Sequence, residues 1–206
     1  IHNPDVNRRI QEMGIRILDH SRDPVERFAE VASGDVVILP AFGVSVPELA
    51  HLKSKQCVLV DTTCGSVLNV WKKVHYYARD RYTVIIHGKH HHEETVATAS
   101  QALTHDGGQY LCVRDVAETE LVCDFIRGGT TGARLMSHFG EAASPGFDPG
   151  AHLQRIGLAN QTTMLMSETL KVQETLRRAM VERHGADNLD QHFRAFDTIC
   201  SATQER

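Results

Sequence analysis

The chain has 206 residues, of which 41% are hydrophobic and 6% aromatic, and it carries a formal net charge of −4 at pH 7. That size and composition suit one large or two small α/β domains with a real core. The negative charge and the lack of any basic run exclude general nucleic-acid binding, and no apolar stretch approaches the ~20 residues of a membrane span.

Asn3-Pro4 has the form of a helix start, and Val6, Ile10 and Met13 give that helix an apolar face ending at Gly14. Ile15 to Leu18 reads as a short strand. Asp23-Pro24 starts a second helix, lined by Val25, Phe28 and Val31 and ending at Gly34. Asp35 to Pro40 is a strand, and a helix follows from about Pro47 to Lys53. Val58 to Val60 reads as a buried strand that ends in Asp61-Thr-Thr-Cys64-Gly65, with a helix opening near Ser66. Cys64 therefore falls at the carboxyl end of a strand and just before a helix amino terminus, the place where open α/β sheets bind ligands. Tyr82 to Ile86 is the next strand. It is followed by His87-Gly-Lys-His-His-His-Glu-Glu94 and a helix from about Thr95 to Leu103.

Gln109 to Val113 is a strand and Val116 to Ile126 a helix. Residues 128–152 are rich in glycine and turn signals and are expected to form an inserted surface loop. Ile156 to Ala159 is a strand ending in Asn160-Gln-Thr-Thr163, and Ser167 can cap a helix whose apolar face is Val172, Leu176, Ala179 and Met180. This alternation predicts repeated small parallel-sheet α/β domains around a central crevice. Asp61-Thr-Thr-Cys64 and Asp197-Thr-Ile-Cys200 share one form, which hints at homologous sub-domains that each present a cysteine to the crevice.

Four polar groups fall at strand carboxyl ends: Cys64, His92 with Glu94, Thr162 with Thr163, and Cys200. Taken singly, each has a plain reading as a packing thiol, a solvated histidine or a turn residue. Together they describe a catalytic crevice. His90, His92 and Glu94 would point the same way on an extended loop, as metal binding or acid–base work needs; an early helix start would make them diverge. Cys57, Cys112 and Cys123 lie inside apolar patterns and read as packing residues. Cys64 and Cys200 could serve an iron–sulfur cluster, a dithiol pair or a zinc site. The alternative to a redox enzyme is a zinc-dependent hydrolase built on His90 and His92.

In combination these stretches resemble the 4-hydroxy-3-methylbut-2-enyl diphosphate reductase (LytB) family, in its longer, plastid-type branch. The matching segments are Ile1-His-Asn-Pro4, Leu39-Pro-Ala-Phe-Gly43, Val60-Asp-Thr-Thr-Cys64, Ile85-Ile-His-Gly-Lys89, His92-Glu-Glu-Thr-Val-Ala-Thr-Ala-Ser100, Gly146-Phe-Asp-Pro149, Ala159-Asn-Gln-Thr-Thr-Met164 and Asp197-Thr-Ile-Cys-Ser-Ala-Thr-Gln-Glu-Arg206. The resemblance implies three α/β domains in pseudo-threefold array around a [4Fe-4S] cluster. Cys64 and Cys200 would be two of the ligands, and the third is absent from this sequence. It implies diphosphate binding by His2 and His92, proton delivery by Glu94, and substrate positioning and proton relay by Thr162. The reaction would be a two-electron reductive dehydration giving isopentenyl and dimethylallyl diphosphate, the last step of the non-mevalonate isoprenoid pathway. Ferredoxin or flavodoxin would be the donor, in a bacterial cytoplasm or a plastid stroma. At Phe42 the shorter bacterial branch carries a further diphosphate-binding histidine.

On this resemblance residues 1–63 are expected to be part of a first domain, 64–196 a second, and 197–206 the start of a third. The chain is expected to be an internal piece that is inactive by itself.

Overall fold

The structure is a computed structural model, and it describes residues 3–18 and 23–196. The elements are α1 (Pro4–Glu12), α2 (Pro24–Arg27), β1 (Val36–Leu39), α3 (Val46–Ser54), β2 (Val58–Asp61), α4 (Gly65–Arg79), β3 (Thr83–His87), α5 (Glu93–Ala102) and β4 (Tyr110–Val113). They continue with α6 (Val116–Arg127), α7 (Gly132–Phe139), α8 (Pro149–His152), β5 (Ile156–Asn160), α9 (Met166–His184), a 3-10 turn (Ala186–Asn188), α10 (Leu189–His192) and β6 (Phe193–Ala195).

The strands form two sheets, a two-stranded β1-β2 and a four-stranded β4-β3-β5-β6, and every ladder is parallel. Parallel pairing needs crossover helices, and these cover the larger sheet on both sides. α4 packs on α5, α6 packs on α9, and each of the four helices also touches a strand of the sheet. β3 and β5 are buried at every position. Val84, Ile85 and Ile86 are wholly enclosed, each contributing about 1.5–3 kcal/mol by leaving water.

The first sheet differs from the expectation of a buried strand. Val37, Leu39 and Leu59 face a small cluster with Phe28, Val31 and Leu52. Val36, Ile38, Val58 and Val60 share the other face and are 64%, 53%, 54% and 42% exposed. An apolar run with no polar alternation reads as buried on both faces, but here only one face has a helix against it among the described residues.

Four further expectations change. Residues 15–18 form no strand. The second helix ends at Arg27, and the Ala32 N–H goes to the Asp35 carboxylate. Residues 128–152 are no surface loop: they hold α7 and α8, and Leu135, Phe139, Ala143 and Phe147 enter the main core. Ala143 also bridges Leu111 of β4. Ser167 lies inside α9, whose N-cap is Leu165, with no side-chain cap bond.

The part around the first sheet is joined directly to the larger layer: the Val46 N–H of α3 donates to Ser100 Oγ of α5 (3.0 Å). Within the larger layer, Trp71 of α4 donates through its indole to Thr98 of α5 (3.2 Å). Arg27 pairs with Glu48 at 2.6 Å with both side chains mostly buried, while Glu48 also completes a capping box with Ser45.

Candidate active site at the strand ends

The chemistry-bearing residues sit on four loops, each leaving the carboxyl end of a parallel strand. After β1, Ala41 and Phe42 lead to α3. The Ala41 carbonyl accepts from the Cys64 N–H (2.8 Å), which ties this loop to the one after β2. Within the β2 loop, the Thr62 hydroxyl donates to the Leu39 carbonyl (2.5 Å), and the Asp61 carboxylate accepts from both the N–H and the hydroxyl of Thr63. Those two bonds lower the Asp61 pKa, so Asp61 is a charged turn-former. Cys64 is the N-cap of α4, makes no cap bond through its side chain, and is exposed.

The loop after β3 runs from Gly88 to His92. A Cβ at Gly88 would lie 2.9 Å from both Gln161 Cβ and Thr95 Oγ1, so only glycine lets this loop lie so close to the one after β5. His92 is the N-cap of α5, and its Nδ1 accepts from the Glu94 N–H (3.2 Å). Its ring meets the edge of Phe42 with centroids 6.5 Å apart, which joins the first and third loops. Because α5 starts at Glu93, the alternation of His90, His92 and Glu94 does not survive. His90 is exposed and packs edge-on against His91, His92 is a half-buried cap, and Glu94 is turned into the protein at 3% exposure.

Thr162, on the loop after β5, donates its backbone N–H to Glu94 Oε1. The structure thus brings together Glu94 and Thr162, which lie on separate strand–helix turns. Burial raises the Glu94 pKa, and the bonds from Thr162 oppose that rise only in part. A buried carboxyl with a raised pKa is suited to holding a proton and giving it up.

Gln161 escapes a sequence reading. Its Oε1 accepts from the Lys89 N–H (3.3 Å) and Thr95 Oγ1 (3.2 Å), while its Nε2 donates to Thr163 Oγ1 (2.6 Å). It is the polar pin between the third and fourth loops. Its neighbours Thr162 and Thr163 draw notice first, and nothing in the residue order marks Gln161 as the pin.

Among the cysteines, the structure separates ligand candidates from packing. Cys112 and Cys123 are buried, and burial pushes both thiols up to about 12. Cys57 donates to the Leu52 carbonyl (3.2 Å) beside the first sheet. Cys64 is the described thiol with the exposure and helix-terminal setting of a ligand. Among the described residues, no three or more of His, Cys, Asp and Glu converge as a metal site. Among the described residues, His90 and His92 have no further His, Cys, Asp or Glu converging with them as a catalytic zinc needs. His2 and Cys200 lie outside the described residues.

Comparison with known proteins gives one consistent answer. The family model described as "LytB protein" matches residues 1–206. The chain is 50% identical over 209 residues to the 4-hydroxy-3-methylbut-2-enyl diphosphate reductase of Gloeobacter violaceus, covering 100% of the chain and 49% of that protein. It is 48% identical over 206 residues to the chloroplastic enzyme of that name from Botryococcus braunii, covering 100% of the chain and 40% of that protein. The chain thus spans half or less of the length of these relatives. In fold it is similar to the solved E-1-hydroxy-2-methyl-but-2-enyl-4-diphosphate reductase of Plasmodium falciparum. The TM-score is 0.65 at 21% identity, over 98% of this chain and 50% of that one. Resting on a family model that spans every residue, the conclusion is that the chain belongs to the LytB family.

Proposed function

We propose that this chain supplies the proton-handling wall and part of the cluster site of a 4-hydroxy-3-methylbut-2-enyl diphosphate reductase. The observation that carries the reading is the buried Glu94 carboxyl. It is seated on the Thr162 N–H beside the helix-capping His92, while the exposed Cys64 stands after the carboxyl end of β2.

In this reading His2 and His92 hold the substrate diphosphate. Since His92 Nδ1 accepts from the Glu94 N–H, a neutral ring carries its proton on Nε2 and presents a donor suited to a phosphate oxygen. The amino terminus of α5 adds its partial positive charge. Phe42 closes the side of His92 and contributes no charge there. Glu94 delivers protons to the departing hydroxyl so that it leaves as water. Thr162 positions that hydroxyl and holds Glu94 in place. An iron–sulfur cluster, held by Cys64, Cys200 and a thiolate from outside this sequence, would supply single electrons and a Lewis-acidic iron. The products are isopentenyl and dimethylallyl diphosphate, and a ferredoxin or flavodoxin is the electron donor. The reading places the enzyme in a bacterial cytoplasm or plastid stroma, as expected from relatives in Gloeobacter and Botryococcus. It treats residues 1–63, 64–196 and 197–206 as parts of three successive domains.

The test is Glu94→Gln in the full-length protein. Iron and acid-labile sulfide per chain are expected to be unchanged, and turnover to fall by about 10²-fold or more. Unchanged turnover removes Glu94 from the proton path.

A further inference from the structure

His87 stands outside every role assigned so far, and it is wholly buried at the last position of β3, where the strand delivers the chain to the loop bearing His92 and Glu94. Its partners lie on the next loop of the site. The His87 carbonyl accepts from the Gln161 N–H (2.9 Å), at the first residue after β5. The His87 ring meets Thr169 Oγ1 through Nδ1 (2.8 Å), in the first turn of α9. The Gln161 carbonyl in turn accepts from the Met164 N–H (3.0 Å), and the Leu165 carbonyl accepts from the Thr169 N–H (3.0 Å). Both ends of the short connection that carries Thr162 are therefore fastened to one residue, by its main chain at one end and its side chain at the other.

We infer that His87 is a positioning residue. It clamps the β5–α9 connection so that the Thr162 N–H stays on the Glu94 carboxylate, and with it the geometry of the candidate proton donor. That consequence for catalysis rests on the reductase reading; the clamp itself does not. The ring acts in its neutral form. Glu168, Asp115 and the Arg114 carbonyl favour a proton on it, but burial outweighs them and keeps its pKa below the usual histidine value. A strand residue with a purely packing role would be served by Ile or Val, like its neighbours Ile85 and Ile86. A histidine bonded to a buried threonine hydroxyl fixes direction as well as volume.

The test reads the clamp where it acts, by amide hydrogen exchange at Thr162 in the 206-residue chain. His87→Phe keeps the ring volume and loses the bond to Thr169. Thr169→Val loses the same bond from the other side and covers the case in which the first variant does not fold. Each is expected to speed exchange at Thr162 about three- to tenfold, while Ile86 and Leu158 in the sheet core keep their rates. The two changes together are expected to do no more than either alone. His87→Asn, whose amide reaches the position of Nδ1, is expected to restore the slow rate. Unchanged exchange at Thr162, or acceleration equal to that of the core amides, overturns the inference. The exchange experiment uses neither substrate nor cluster, so it judges the clamp whether or not the reductase reading stands. In the full-length enzyme that reading adds a lower kcat at nearly constant KM for His87→Phe.

Discussion

Gly157→Ala is the perturbation for which the structure gives the clearest magnitude. Gly157 sits in the middle of β5, where α4 crosses the strand. A Cβ added there would lie 2.5, 2.6 and 2.7 Å from three ring atoms of Tyr77. The ring cannot swing aside. Tyr77 is fully buried, and its hydroxyl donates to the Leu158 carbonyl at 3.0 Å. Burial also raises its pKa, so the hydroxyl stays protonated and keeps donating. Overpacking of this kind costs about 1–3 kcal/mol, and more when the clashing group is pinned. For a chain of this size that corresponds to a fall in Tm of about 2–12 °C.

The assay is thermal unfolding of the 206-residue chain followed by circular dichroism. Tyr77→Leu makes room for the new methyl, so its cost and that of Gly157→Ala should fail to add in the double variant. A Tm within 1 °C of the parent, or strict additivity, would refute the reasoning. The contact also matters for function: it sets how α4, with Cys64 at its start, lies across the strand that leads to Thr162.

Four further outcomes are expected. Among the four described thiols, peptide mapping after brief alkylation should find Cys64 labelled before Cys57, with Cys112 and Cys123 labelled only once the chain unfolds, because burial pushes both of those thiols to about 12. Glu94→Gln should raise the urea midpoint at neutral pH while removing turnover from the full-length enzyme. A folded pKa raised by burial means that the carboxylate itself opposes folding above that pKa, and glutamine carries no such charge. Stability should fall as pH drops below about 6.5, the ordinary histidine value. His87, His75 and His184 all have folded values lowered chiefly by burial, so their contribution is whole above the unfolded pKa and is lost as protons bind below it. Urea midpoints at a series of pH values check this, and a rise on acidification in that window would contradict it. Glu48→Ala should cost about 2–4 kcal/mol in the same assay, because it removes both the buried partner of Arg27 and the capping box of α3.

Most of the element order could be read from periodicity and punctuation. Asn3-Pro4 and Asp23-Pro24 are local helix-start signals, and the helices begin where those residues place them. The alternation of strands and helices requires parallel pairing, and the ladders are parallel. The family could be read because its motifs are short, contiguous and in order, and the placement of Cys64, Glu94 and Thr162 at strand ends followed from the same local patterns. Where the reading failed, the deciding contact was distant. The glycine-rich stretch after α6 reads as a loop, yet Leu135, Phe139 and Phe147 find apolar partners in the core through a bridge to β4. Val58 to Val60 reads as a buried strand, but a run of apolar residues cannot say whether a second layer covers it.

The sequence by itself determined the α/β alternation and the family, because each is written in neighbours a few positions apart. Only the tertiary structure decided how the site residues work together. Glu94 is buried on the N–H of Thr162, His92 lies against Phe42, and Gln161 and His87 pin the loops. Most of these pairs are far apart in the chain. Glu94, Thr162, Gln161 and His87 meet because β3 and β5 pair in parallel register and deliver their carboxyl ends side by side.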